Sequence, residues 1–80
     1  MFFVYILYSE KIDSFYVGST GNLQDRLHRH NTKQSIYTKR GVPWKLVYQK
    51  EYASKAEAYR AECHIKSQKS RNYIENLIEL

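Results

Sequence analysis

The opening run Phe2–Tyr8 (FFVYILY) constrains this chain more than any other stretch. It is apolar, rich in β-branched and aromatic residues, and shows no alternation with polar ones. Such a run reads as a strand covered on both faces, and so as the middle of a sheet. It is far shorter than the roughly 20 residues that cross a bilayer. No basic leader or cleavage site accompanies it, so it is not read as a signal peptide. Ser9–Ser14 (SEKIDS) is polar and turn-like, and Phe15–Ser19 (FYVGS) reads as a second strand closing a hairpin. With Glu10 to Asp13 as the loop, Ser9 faces Ser14 and Tyr16 faces Leu7. Leu7 shares a face with Tyr5, because side chains alternate along a strand. Any loop of even length puts Tyr5 and Tyr16 on one face, and an odd one separates them.

The remaining elements follow from caps and periodicity. Gly21 and Asn22 lead into a helix from about Leu23 to His30, with Asn22 as its N-cap and Asn31 as its close. At about 100° per residue, Leu23, Leu27 and His30 fall together with Arg26 at the edge. Asp25, His28 and Arg29 point elsewhere. Thr32–Pro43 is a basic connection, with a helical turn expected near Ile36 and Tyr37. Trp44–Tyr52 (WKLVYQKEY) reads as a third strand, with Trp44, Leu46 and Tyr48 on one side. Ser54 and Glu57 form a capping box, which starts a helix running to about Gln68. Its apolar stripe is Ala58, Ala61 and Ile65, with Glu62 inside or beside it. Ser70 can cap a last short helix carrying Tyr73, Ile74, Leu77 and Ile78. The expected order is β-β-α-α-β-α-α. This is an α+β fold, a small three-stranded antiparallel sheet flanked by helices.

Eighty residues are read as one domain spanning 1–80. A chain of this size buries only about 60% of the surface that its unfolded form exposes. It has no room for a large cavity, so a substrate is expected to meet it at the surface. The net charge of +5, from 13 basic and 8 acidic residues, points to an anionic partner. Arg26, Arg29, Lys33, Lys39 and Arg40 cluster with His28 and His30, and no acid stands between Asp25 and Glu51. That is the footprint of phosphate binding; the alternative is a merely solubilising surface. The single cysteine, Cys63, cannot form an internal disulfide, so a reducing compartment, the cytoplasm, is expected. One cysteine and three scattered histidines do not make a structural zinc site.

Three anomalies remain. Glu62, at the edge of a small-residue stripe, needs a partner, because burying an unpaired carboxylate is costly. It is open to two readings: a ligand for Mg²⁺, or an i,i+4 pair with Lys66 worth about 0.2–0.5 kcal/mol. Arg26 and His30 stand four apart on one helix face beside the hairpin. Arg26 can clamp a phosphate and His30 can position water or carry a proton; alternatively they are a solvated arginine and a satisfied boundary histidine. Tyr5 and Tyr16 are either core or catalytic. As a base a tyrosine starts badly, since about one in a thousand is ionised at pH 7. A cation or metal beside it would have to favour the phenolate, and Arg26 and a metal on Glu62 are the groups that can supply it.

These residues resemble a known family. Phe3-Val4-Tyr5, followed eleven residues after Tyr5 by Tyr16-Val17-Gly18, resembles the paired motif of the GIY-YIG nuclease superfamily, with Phe3-Val4 in place of Gly-Ile. Arg26 ten residues after Tyr16, His30 four later, Tyr37-Thr38, Trp44–Tyr48, and Glu62 within Ala58–Lys66 (AYRAECHIK) match its later positions. The resemblance covers nearly the whole chain and is nearest to small stand-alone bacterial members. It implies a metal-dependent endonuclease that hydrolyses phosphodiester bonds, with DNA as the first expectation and little sequence preference. Tyr5 would activate the water, Tyr16 would orient water or phosphate, Arg26 would hold the scissile phosphate, with His30 beside it, and Glu62 would hold one Mg²⁺ or Mn²⁺ ion. Some members carry a lysine directly after the second motif, where this chain has Ser19. The alternative readings are a nucleic-acid-binding module, or a partner-dependent subunit, with weak or no turnover. Substrate form, repair or turnover as a role, and oligomeric state have no signature in the sequence.

Overall fold

Strand β1 (Phe2–Ser9) lies between β2 (Ser14–Thr20) and β3 (Trp44–Tyr52) in the computed structural model, which describes residues 1–32 and 38–79. Both pairings are antiparallel. The apolar run explains the middle position. Val4 and Ile6 face one way, Tyr5 and Leu7 the other, and all four are at most 1% exposed. The hairpin has the even register: Ser9 pairs with Ser14, Leu7 with Tyr16 and Tyr5 with Gly18.

Helix α1 (Leu23–Asn31) covers the Tyr5 face with Leu23 and Leu27, where Trp44 and Leu46 join them. Helices α2 (Lys55–Ser67) and α3 (Arg71–Glu79) cover the Val4 face through Ala58, Ile65, Ile74 and Leu77. A 3₁₀ turn, Lys39–Gly41, fills the second helical place in the expected order. The caps are local and form as the sequence suggests. Asn22 accepts the Asp25 N–H at 3.0 Å, and Ser54 and Ser70 accept those of Glu57 and Tyr73 at 3.2 Å. No described helix is long and apolar enough to cross a membrane.

Two details depart from expectation. Tyr48 does not share a side with Trp44 and Leu46. The β1–β3 register shifts between Ile6 and Leu7, so that Ile6 pairs with Tyr48 but Leu7 with Leu46. This bulge leaves Val47 as the extra residue and sends Val47 and Tyr48 to the Val4 face. Asn31 does not close α1. It is the last helical residue, and the C-cap is Thr32, whose N–H reaches the His28 carbonyl at 2.9 Å. The Asn31 amide instead clamps the start of β3. It accepts the Trp44 N–H at 2.6 Å and donates to the Trp44 carbonyl at 3.1 Å. The turn expected near Ile36 and Tyr37 lies outside the described residues.

Candidate active site

The site is built where Tyr5 crosses the edge strand. Tyr5 stands opposite Gly18, and its ring lies across that residue. A Cβ added at Gly18 would fall 2.6 Å from the Tyr5 hydroxyl oxygen and 2.7 Å from Cζ. No larger residue leaves space for the ring. The hydroxyl is thus delivered towards the β2 edge, 3.2 Å from His30 Nε2. On the other side of the imidazole, Nδ1 lies 2.8 Å from Thr38 Oγ1. One neutral imidazole satisfies both contacts, since it has one N–H and one lone pair. Trp44 Nε1–H donates to the Thr38 carbonyl at 2.6 Å, tying that residue to β3. The Tyr16 ring centroid lies 6.3 Å from that of Tyr5, 4.7 Å from His30 and 6.4 Å from Trp44.

Glu62 arrives from α2. Its side chain is 13% exposed and both oxygens are engaged. The Ser19 hydroxyl donates to Oε1 and the Lys66 ammonium to Oε2, each at 2.6 Å. Arg26 comes from α1, half-buried, and lines a depression of about 180 Å³ with Ser19, Thr20 and Lys55. Burial pushes the Tyr5 hydroxyl above the ordinary tyrosine range, and Tyr16 and Glu62 add to the shift. Arg26 opposes it. His30, 3% exposed, is held below the ordinary histidine range by burial and then by the Arg26 charge. The tyrosine and histidine are therefore both neutral at neutral pH.

A divalent ion fits this arrangement if it takes the place of the Lys66 ammonium at Glu62. Among the described residues no group of three or more His, Cys, Asp or Glu side chains gathers. A closed zinc-type cage is thus not what these residues build. Mg²⁺ or Mn²⁺ needs only one or two carboxylates and keeps waters. Glu62 offers one carboxylate, and its Oε2 already receives a cation, the Lys66 ammonium.

The family model of the GIY-YIG catalytic domain matches residues 1–75. This chain belongs to the GIY-YIG family. It is 41% identical over 73 residues to a UPF0213 protein of Limosilactobacillus reuteri, covering 88% of this chain and 75% of that one. A UPF0213 protein of Staphylococcus haemolyticus is 44% identical over 66 residues, 81% of this chain and 79% of its own. The solution structure of a UPF0213 protein from Bacillus halodurans superposes with a TM-score of 0.62 at 33% identity, over 99% of this chain and 84% of that one. GIY-YIG domains carry nuclease-type activity on nucleic acid and generally use divalent metal ions.

The GIY-YIG positions read from the sequence come together around the β2 edge. Tyr5, Tyr16 and His30 are in mutual contact, and the charges of Arg26 and Glu62 both act on Tyr5. The wider basic cluster is less uniform. Arg29 is paired with Asp25 at 3.1 Å on the exposed side of α1. Lys39 and Arg40 are exposed on the 3₁₀ turn that follows Thr38. Lys33 lies outside the described residues.

Several contributors had weaker signals. Gly18 had one, because a glycine inside a strand often marks close approach of another group. Ser19 was noted for the lysine it replaces, yet its hydroxyl positions Glu62. Thr38 was matched only as part of Tyr37-Thr38, and its contact with His30 depends on how the chain returns from α1.

Proposed function

We propose that this GIY-YIG domain is a metal-dependent endonuclease that hydrolyses phosphodiester bonds, with DNA as the first substrate to test and little sequence preference. One observation carries the reading. A mostly buried carboxylate, Glu62, and an arginine, Arg26, come from two different helices to the β2 edge at Ser19, which holds Glu62 and shares a depression with Arg26, beside the buried Tyr5. In a domain that only bound nucleic acid the carboxylate would serve solely to tie α2 to Ser19 and to pair with Lys66.

Arg26 holds the scissile phosphate and stabilises the charge that develops there. Tyr5 takes the proton of the attacking water, and Tyr16 orients water or phosphate. The His30 imidazole keeps the Tyr5 hydroxyl in place and offers a ring nitrogen to its proton. Glu62, braced by Ser19, would hold the ion. When bound, Mg²⁺ or Mn²⁺ supplies positive charge that polarises the phosphate and stabilises the leaving oxygen. The Arg26 charge already favours the Tyr5 phenolate, and an ion at Glu62 would add to it.

The second reading, a nucleic-acid-binding module with feeble turnover, has an observation of its own. Burial holds the Tyr5 hydroxyl above the ordinary range, and Ser19 brings no positive charge to the edge. The discriminating experiment incubates the protein with labelled single-stranded, duplex and branched DNA, with Mg²⁺, Mn²⁺ or chelator, and repeats it with Arg26→Ala. Metal-dependent cleavage that Arg26→Ala abolishes supports the nuclease. Binding to every substrate with cleavage of none supports the module, and cleavage indifferent to Arg26→Ala rejects the phosphate role.

A further inference from the structure

A depression of about 470 Å³ runs beside the start of β2 where it meets the junction of α2 and α3. Tyr16 forms one wall; Lys66, Lys69 and Arg71 stand on the other, with Asp13 at the end. It adjoins the candidate site directly, because Tyr16 belongs to both and Lys66 also holds Glu62. Farther along the same strand, past Ser19, lies the depression that contains Arg26 and Lys55. The two together follow β2 from Ser14 to Thr20, an edge of roughly 20 Å.

The basic side chains of the larger groove are not equivalent. Arg71 is committed to Asp13 at 2.7 Å and to Glu75 at 3.1 Å. Lys66 is committed to Glu62. Lys69 is exposed and forms no ion pair among the described residues. It is also the one residue between α2 and α3 with a left-handed backbone, φ 48°. Glycine adopts that conformation without cost, and a lysine does not. The fold alone would be better served by glycine, so the lysine calls for another reason.

We propose that the β2 edge is a track for one nucleic-acid strand, with Lys69 contacting a phosphate next to the scissile one and Lys55 contacting another beyond Arg26. The inference deepens the nuclease reading and rests on it for the position of the scissile phosphate. Charge complementarity selects the occupant. Of the three cations in the groove, Lys69 alone has no ion pair among the described residues, and the groove continues the candidate phosphodiesterase site. The track lies along an edge strand, so it suits a single backbone better than a closed duplex.

The test measures binding of a fluorescein-labelled single-stranded deoxyoligonucleotide across a series of salt concentrations, with chelator present so that nothing is cut. Lys69→Gly is expected to bind several-fold more weakly. Its log–log salt slope is expected to fall by about 0.7, the value for one lost phosphate contact on a single strand. Its melting temperature should stay at or above that of the wild type, which excludes damage to the fold. Lys69→Glu should bind more weakly still, and Lys55→Gln should reduce the slope by a similar step. Lys50→Gln, on β3 at the opposite edge of the sheet, is the control and should leave the slope unchanged. Lys69→Gly binding with wild-type affinity and slope, or Lys50→Gln matching its loss, overturns the track. If the Lys69 variants weaken binding but no metal supports cleavage by the wild type, the track stands and the nuclease reading falls. If Arg26→Ala weakens binding and Lys69→Gly does not, the track falls and the nuclease reading stands.

Discussion

At the scale of single residues, Gly18 decides where the chemistry sits. The absence of a side chain there lets the Tyr5 ring cross β2 and bring its hydroxyl to His30. A methyl group would have to displace the ring or the strand. Gly18→Ala is therefore expected to cost roughly 1–3 kcal/mol, as overpacking usually does, and to abolish cleavage together with the Tyr5–His30 contact. Thermal unfolding and the Tyr5 resonances in an NMR spectrum measure both effects; an unchanged melting temperature would show that the ring is not held as described. His30 gives a pH dependence. Burial and the Arg26 charge depress its folded-state proton affinity below that of the unfolded chain. The unfolded state then takes up more protons, so His30's contribution is complete above about pH 6.5 and is lost as pH falls below it. The melting temperature should fall as pH drops below about 6.5, and His30→Gln should flatten that fall. An equally steep fall in His30→Gln would assign it to other groups. None of this residue-level detail was legible beyond its components. Tyr5, Tyr16, Arg26, His30 and Glu62 could be named from the sequence. That Ser19 holds Glu62, and that Thr38 holds His30, depends on contacts between distant parts of the chain.

Among the elements, local signals were legible and non-local ones were not. The hairpin register followed from one even loop, because a period of two leaves only two outcomes. Caps followed from single residues: Asn22, Ser54 and Ser70 each accept the backbone N–H three residues on. Ser54→Ala is expected to cost about 1 kcal/mol, lowering the melting temperature by roughly 4–8 °C for a domain of this size. A loss well under that range would mean that α2 is held by packing alone. The bulge in β3 was not legible. Nothing in WKLVYQKEY marks Val47 as extra, because a bulge is defined by two residues facing one on the partner strand. Asn31 was misread for the same reason: its amide serves Trp44, thirteen residues away, rather than the end of its own helix. The left-handed backbone at Lys69 was hidden as well, because the sequence carries no glycine there.

Over the whole molecule, the sheet has two unlike edges. The β2 edge gathers Arg26, Lys55, Lys66 and Lys69 around the candidate site, whereas the β3 edge carries Lys45 paired with Glu10 and Lys50 over the Tyr52 ring. Nucleic-acid affinity is expected to fall as salt rises, and binding that ignores salt would contradict a phosphate-directed surface. The small core leaves little reserve of stability, so loss of function in any variant has to be read beside its melting temperature. Substitution of Glu62 by its amide is the most direct test, since it keeps the size of the side chain and removes the charge that would hold an ion. The measurement is the cleavage rate of labelled DNA against Mg²⁺ or Mn²⁺ concentration for wild type and Glu62→Gln, with both melting temperatures recorded. Metal-dependent cutting by the wild type, abolished by chelator, is expected, with a loss of about 100-fold or more in a variant that stays folded. Equal cleavage by a folded Glu62→Gln would contradict it.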